Sequence, residues 1–140
     1  MIRTLMSVCA VGLCVAMSMS GCVSSQMMPV GGQTFPPRPD GYLIDVYLPQ
    51  EAPVVVHQEV PNVRPLSQLA SSAKVIGRVD TQGAPAAGWA SLFEDAKRRA
   101  RELGGDALVV RQWGHHLVSA DAYGAQHGKS LSMDVVRLNP

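Results

Sequence analysis

The sequence predicts an α+β domain of two layers: one mixed β-sheet of about four strands, with a single amphipathic helix packed on one face. Three observations lead there. The stretch from Lys74 to Trp113, KVIGRVDTQGAPAAGWASLFEDAKRRARELGGDALVVRQW, reads as strand, loop, helix, tight glycine turn and strand. The segments 42–48 and 131–138 alternate between two faces, as strands do. The span from Tyr42 to Leu138 is long enough for one small core and too short for two.

The helix is the clearest element. Trp89, Leu92, Phe93, Ala96, Ala100 and Leu103 recur at offsets of three and four and form one apolar stripe. Glu94, Lys97, Arg98, Arg101 and Glu102 occupy the other side. Ser91 with Glu94 fits a capping box, and Gly88 is a rival start one turn earlier. Glu94–Arg98 and Asp95–Arg99 have the spacing of favourable ion pairs. Gly104-Gly105 supplies a left-handed stop. The basic run at 97–101 has acidic partners and reads as a solvated helix face, so nucleic acid is not an expected partner.

Strands are expected on both sides of this helix. Val75 to Val79 precedes it and Asp106 to Val110 follows it. So compact a unit favours a parallel pair with a right-handed crossover, with or without another strand inserted between the two. Tyr42 to Leu48 is a third strand and is ended by Pro49. Pro53 to His57 reads as a short edge strand. Residues 60–72 read as a loop, with Leu66 and Leu69 docked on the domain. Gly114, Gly124 and Gly128 mark a long hairpin connection before the last strand, Leu131 to Leu138.

The N-terminus carries an address. Arg3 is followed by an uncharged apolar run to Met19, and the small residues Ser20 and Gly21 precede Cys22. This is the architecture of a secretory signal, and the run is shorter than the ~20 apolar residues of a membrane span. Three units result: a signal peptide at 1–21, a lipidated Cys22 with a tether through 41, and a domain at 42–140. The tether reading rests on the Ser, Gly and Pro content of 23–41, with Pro36, Pro37 and Pro39 stiffening its end.

The tetrapeptide Met19-Ser20-Gly21-Cys22 resembles a bacterial lipobox. That resemblance implies a diacylglycerol on the Cys22 thiol, cleavage between Gly21 and Cys22, and acylation, typically with palmitate, of the new amino group. Val23 stands where Asp would signal inner-membrane retention, which implies an outer-membrane lipoprotein facing the periplasm. Lys and Arg total 12 and Asp and Glu total 11, so loss of Arg3 leaves a neutral chain that charge alone does not hold on an anionic surface. Cys9 and Cys14 leave with the signal, and the remaining Cys22 has no disulfide partner within the chain.

The order of an extended strand, the IGRV strand, the helix, the LGGDALVV strand and a final strand resembles a group of small bacterial α/β domains. These are the YbjQ-like and RcsF-like envelope domains, and the likeness covers roughly Tyr42 to Leu138. The RcsF-like type relies on disulfides, which this chain lacks, so a shared fold does not carry a shared sensing role.

Chemistry-bearing residues are few. His115, His116 and His127 with Asp121 form the one cluster resembling a transition-metal site. His115 and His116 are adjacent and point to opposite faces of a strand, unless the backbone turns at Gly114. No G-x-S-x-G elbow is present, and Gly104-Gly105 follows a helix instead of opening one, so neither a hydrolase nor a phosphate cradle is expected. The expected function is a lipid-anchored, non-enzymatic envelope protein that binds another envelope protein or the cell wall. It has no cofactor beyond the covalent lipid on Cys22. The alternative is a periplasmic metal-binding module built on the histidine-rich hairpin.

Overall fold

The structure, a computed structural model, describes residues 22–139. The expected signal peptide at 1–21, including Gly21 of the cleavage pair, lies outside the described residues.

The expected layout of about four strands is corrected. The described residues form one mixed sheet of six strands with two α-helices, of which only one is substantial. In chain order these are β1 (Val23–Pro29), β2 (Asp45–Leu48), α1 (Val54–Glu59), β3 (Val63–Pro65), β4 (Lys74–Gly83), α2 (Trp89–Leu103), β5 (Ala107–Asp121) and β6 (Gly124–Arg137). The order across the sheet is β1-β4-β6-β5-β2-β3. β4 and β5 run parallel but are separated by β6, which pairs antiparallel with both, so the inserted-strand version of the crossover is the one formed. β2 pairs parallel with β3 and β5.

The extra strand content comes from three places where the side-chain pattern carries little signal, one of them β3 at Val63–Pro65, within residues 60–72 expected as a loop. β1 is an edge strand with mostly exposed side chains, so it shows no apolar alternation. β5 and β6 run on through the expected hairpin connection as paired strands of 15 and 14 residues. They turn only at Ala122 and Tyr123, where the Tyr123 N–H donates to Asp121 Oδ1 at 2.8 Å. Residues 54–57, expected as a strand, are the helix α1. Pro53 occupies its N-cap, and Val56 alone in it is buried.

α2 forms as the apolar stripe dictates. Trp89, Leu92, Phe93, Ala96 and Ala100 are buried on the sheet, against Val79, Leu108, Val110, Leu131, Met133 and Val135. Burying each large side chain contributes on the order of 1.5–3 kcal/mol. Gly88 is the N-cap and no side chain of its own caps the helix; instead Glu59 Oε2 accepts the Trp89 N–H at 3.0 Å. The helix-face ion pairs are Asp95–Arg98, Arg98–Glu102, Arg99–Glu102 and Glu94–Lys97, not the two expected from i,i+4 spacing. Gly104 ends the helix at φ 81, and a Cβ there would meet Phe35.

A smaller cluster lies on the other face: Tyr47, Ala107, Val109 and Val136, covered by Leu66, Leu69, Val75 and Leu138. The neighbouring parts of β2, β5 and β6 are therefore buried on both faces, as a sheet with parallel pairs requires.

The expected tether is part of this body. β1 pairs along its whole length with β4, from Val23 opposite Gly83 to Pro29 opposite Gly77. Farther along, the Arg38 N–H donates to Arg101 O at 2.8 Å and Arg101 Nε donates to Tyr42 O at 2.8 Å. Asp106 fastens both ends of the chain. Its Oδ1 accepts from Arg38 and from the Tyr42 hydroxyl, each at 2.8 Å, and its Oδ2 accepts from the Leu138 N–H at 3.0 Å.

Candidate functional site

Cys22 is exposed and directly precedes β1. Its carbonyl accepts the Ala84 N–H at 2.9 Å, so the backbone is already fixed at this residue. Behind it, Ser25 Oγ lies 3.0 Å from Thr81 Oγ1 and donates a short bond to Asp95 Oδ2. Arg98 donates to the other oxygen of Asp95 at 2.7 Å. Burial pushes the Asp95 carboxyl up, but the bonds from Ser25 and Arg98 outweigh it and hold the group below its ordinary value. A side chain on α2 thus clamps β1 to the sheet one turn of strand beyond Cys22.

Registers place Cys22 at a defined end of the sheet. Val23 lies opposite Gly83, Gly83 opposite Lys129, and Lys129 opposite His115. These four residues form one row across β1, β4, β6 and β5. β4 goes no further, and only the β5–β6 hairpin continues past the row.

The four expected metal ligands are spread over this hairpin and do not converge. His115 stands edge-on to the Trp89 ring, centroids 5.7 Å apart. Lys129, paired with it, reaches Ala87 O at 2.8 Å and lies over the same ring. His116 faces the opposite way, its ring against Gly128, with Nδ1 buried and without a hydrogen-bond partner. His127 pairs across from Leu117, farther out. Asp121 closes the turn. Among the described residues, no group of three or more His, Cys, Asp or Glu side chains is arranged to hold a metal ion. The backbone does not turn at Gly114, so nothing rotates His115 and His116 to one side.

Two features escaped the sequence. A groove of about 810 Å³ opens at the carboxyl ends of β2 and β3, lined by Leu48, Pro49, Glu51, His57, Val63 and Leu66. Its walls come from segments read as edge strand and loop, so no motif announces it. On the sheet face away from α2, Asp134 is nearly buried between Arg111, whose Nε donates at 2.6 Å, and Arg78 at 3.7 Å. Arg111 is two residues from Val109, the residue opposite Asp134, so the alternation of β5 brings it to the same face.

Asp106 is a structural hub. Burial raises its carboxyl, and the bonds from Tyr42 and the Leu138 N–H, with the charges of Arg38 and Arg137, bring it below its ordinary value. The bond donated to that carboxylate, together with burial, raises the Tyr42 phenol. Both oxygens of the Asp106 carboxylate accept hydrogen bonds, which is the pattern of a fastening, although the buried Nε atoms of Arg38 and Arg137 have no hydrogen-bond partner.

Among the described residues no helix is long and apolar enough to cross a membrane. No protein-family model matches the chain, and no curated protein sequence matches it. Among solved structures it is similar to the crystal structure of a Francisella virulence factor, FvfA. The TM-score is 0.43 and the identity 12%, over 79% of this chain and 97% of that one.

Proposed function

We propose that the protein is a bacterial envelope lipoprotein, acylated on Cys22, that faces the periplasm from the outer membrane and works by binding another envelope component without catalysis. The observation that carries this reading is the position of Cys22. It ends an apolar, signal-like segment, and it is also the exposed residue directly before the first described strand. A processing enzyme that cuts before Cys22 would leave all six described strands intact. Cys22 is exposed and adjoins β1, an edge strand of the sheet, so a lipid on its sulfur would sit at the border of the body. The mature chain is neutral, so acyl chains and not charge would supply the attachment, and more than one chain is needed for stable anchoring.

The test is metabolic labelling with an alkyne fatty acid, followed by fractionation of the envelope. The wild type is expected to carry the label and to sediment with outer membranes. Cys22→Ser is expected to lose both properties. A soluble, unlabelled wild type would contradict the proposal. Crosslinking in intact cells before solubilisation is expected to recover one recurring protein or wall fragment.

A further inference from the structure

We propose that the β5–β6 hairpin beyond the row of Val23 and His115, residues 116–128, is a second membrane contact that lies in the headgroup layer of the bilayer holding the Cys22 lipid. This rests on the acylation of Cys22 proposed above.

Three observations carry it. First, the hairpin projects from the same end of the sheet as Cys22, since Val23, Gly83, Lys129 and His115 share one row. It continues for the pairs from His116–Gly128 to Asp121–Gly124. At ~3.3 Å per residue, that is roughly 20 Å past the row. The sideways distance from β1 to β6 is two strand spacings, roughly 10 Å. Second, no spacer separates the lipid from the sheet. Val23 is already paired and the Cys22 carbonyl is already bonded, so a lipid on Cys22 would bring this end of the sheet to the surface. A hairpin reaching farther in the same direction must then meet the bilayer or force the sheet to tilt along it. Third, the hairpin is dressed for such a meeting. Every residue from Leu117 to His127 is exposed. Tyr123 at the tip is 99% exposed, and Leu117 and Val118 are more than half exposed. The same stretch contains no Lys or Arg, and its one carboxylate, Asp121, is bonded to the turn.

The depth follows from the backbone. A two-stranded hairpin has an unpaired row of N–H and C=O groups on each outer edge. Hydrocarbon cannot satisfy them, so the hairpin does not cross the acyl layer. Tyrosine favours the headgroup level, where its ring is half in oil and its hydroxyl in water. The sheet therefore tilts, with Cys22 and the hairpin as two feet, and the contact sets orientation more than strength of attachment. With no Lys or Arg along 117–127, binding requires no anionic lipid.

The test uses the full-length protein carrying Tyr123→Trp, expressed in cells, purified from their membranes and reconstituted in phosphatidylcholine vesicles. Mass analysis of its N-terminal peptide reports the lipid on Cys22 independently of the hairpin. With lipid present, vesicles brominated near the headgroups are expected to quench the added indole about twofold or more beyond the signal of the parent, whose Trp89 and Trp113 lie in the domain. Adding Leu117→Asp and Val118→Asp is expected to abolish the extra quenching without moving the thermal midpoint. Lipid on Cys22 with no extra quenching would overturn the hairpin contact alone. So would protection of the hairpin only when a crosslinked protein partner is present. An unlipidated peptide would overturn both readings.

Discussion

Residues 23–42 and the hairpin at 116–128 look alike in composition: both are short of large core residues and interrupted by glycine or proline. They end in opposite conditions. The first is held by side chains from distant parts of the chain: Asp95 on Ser25, Asp106 on Arg38 and Tyr42, and Arg101 on the Tyr42 carbonyl. Past Gly128 the second has, among the described residues, only its own ladder, since β4 ends at Gly83, opposite Lys129, and α2 reaches no farther than His115. A polar stretch becomes part of a body when remote groups fasten it. A regular strand without cover stays an arm, because two strands alone are marginal in water.

The largest expected effect breaks the fastening of the first region. Asp106→Ala strands the Arg38 guanidinium, the Tyr42 hydroxyl and the Leu138 N–H, and is expected to cost about 2–4 kcal/mol in chemical denaturation. The hairpin should be unaffected, so its exchange rates provide the internal control.

Acid should act on the same region. Asp95 and Asp106 both have carboxyls below their ordinary value in the folded chain. Such groups stabilise fully above the unfolded carboxylate range, about pH 4, and lose that contribution as pH falls through their folded values. The thermal midpoint is expected to drop below about pH 4, with a shallower slope in Asp106→Asn. An equal slope in wild type and variant would show that Asp106 does not fasten the segment.

Ser25→Ala removes the bond to Asp95 and is expected to cost about 1 kcal/mol, with faster exchange confined to β1. Tyr123→Ala and Leu117→Ala should change stability by no more than about 0.5 kcal/mol, because both side chains are exposed. A large loss in either would mean that the hairpin is packed on something.

The same contrast explains what could be read from the sequence. α2 was legible because its stripe meets a single continuous core, and Trp89, Leu92, Phe93, Ala96 and Ala100 are buried as their spacing demands. The spacing of β4 and β5 in the sequence permits a strand between them, and β6 fills that place. β1 was hidden because its inward partner at Ser25 is polar, and its bonds go to backbone and to a carboxylate. The hairpin was hidden because Gly114, Gly124 and Gly128 mimic loop punctuation, although Gly114 and Gly128 lie within paired strands. α1 was misread because Val54, Val55 and Val56 favour strands in isolation, and burial of Val56 decides otherwise. At the candidate site, the sequence alone displays the local motif Met19-Ser20-Gly21-Cys22 and singles out Cys22. The attachment of Cys22 to the sheet was not legible, because Gly83, Ala84, Thr81 and Asp95 come from far along the chain.

The central claim is that Cys22, the residue proposed to carry the lipid, is joined to the sheet without a spacer. Amide hydrogen exchange across Ser24 to Met28 tests it most directly. The β1 amides bonded to β4 should exchange as slowly as the neighbouring amides of β4, while residues 117–127 exchange far faster. Rapid exchange in β1, at the rate of an unstructured chain, would restore a flexible tether and contradict the account.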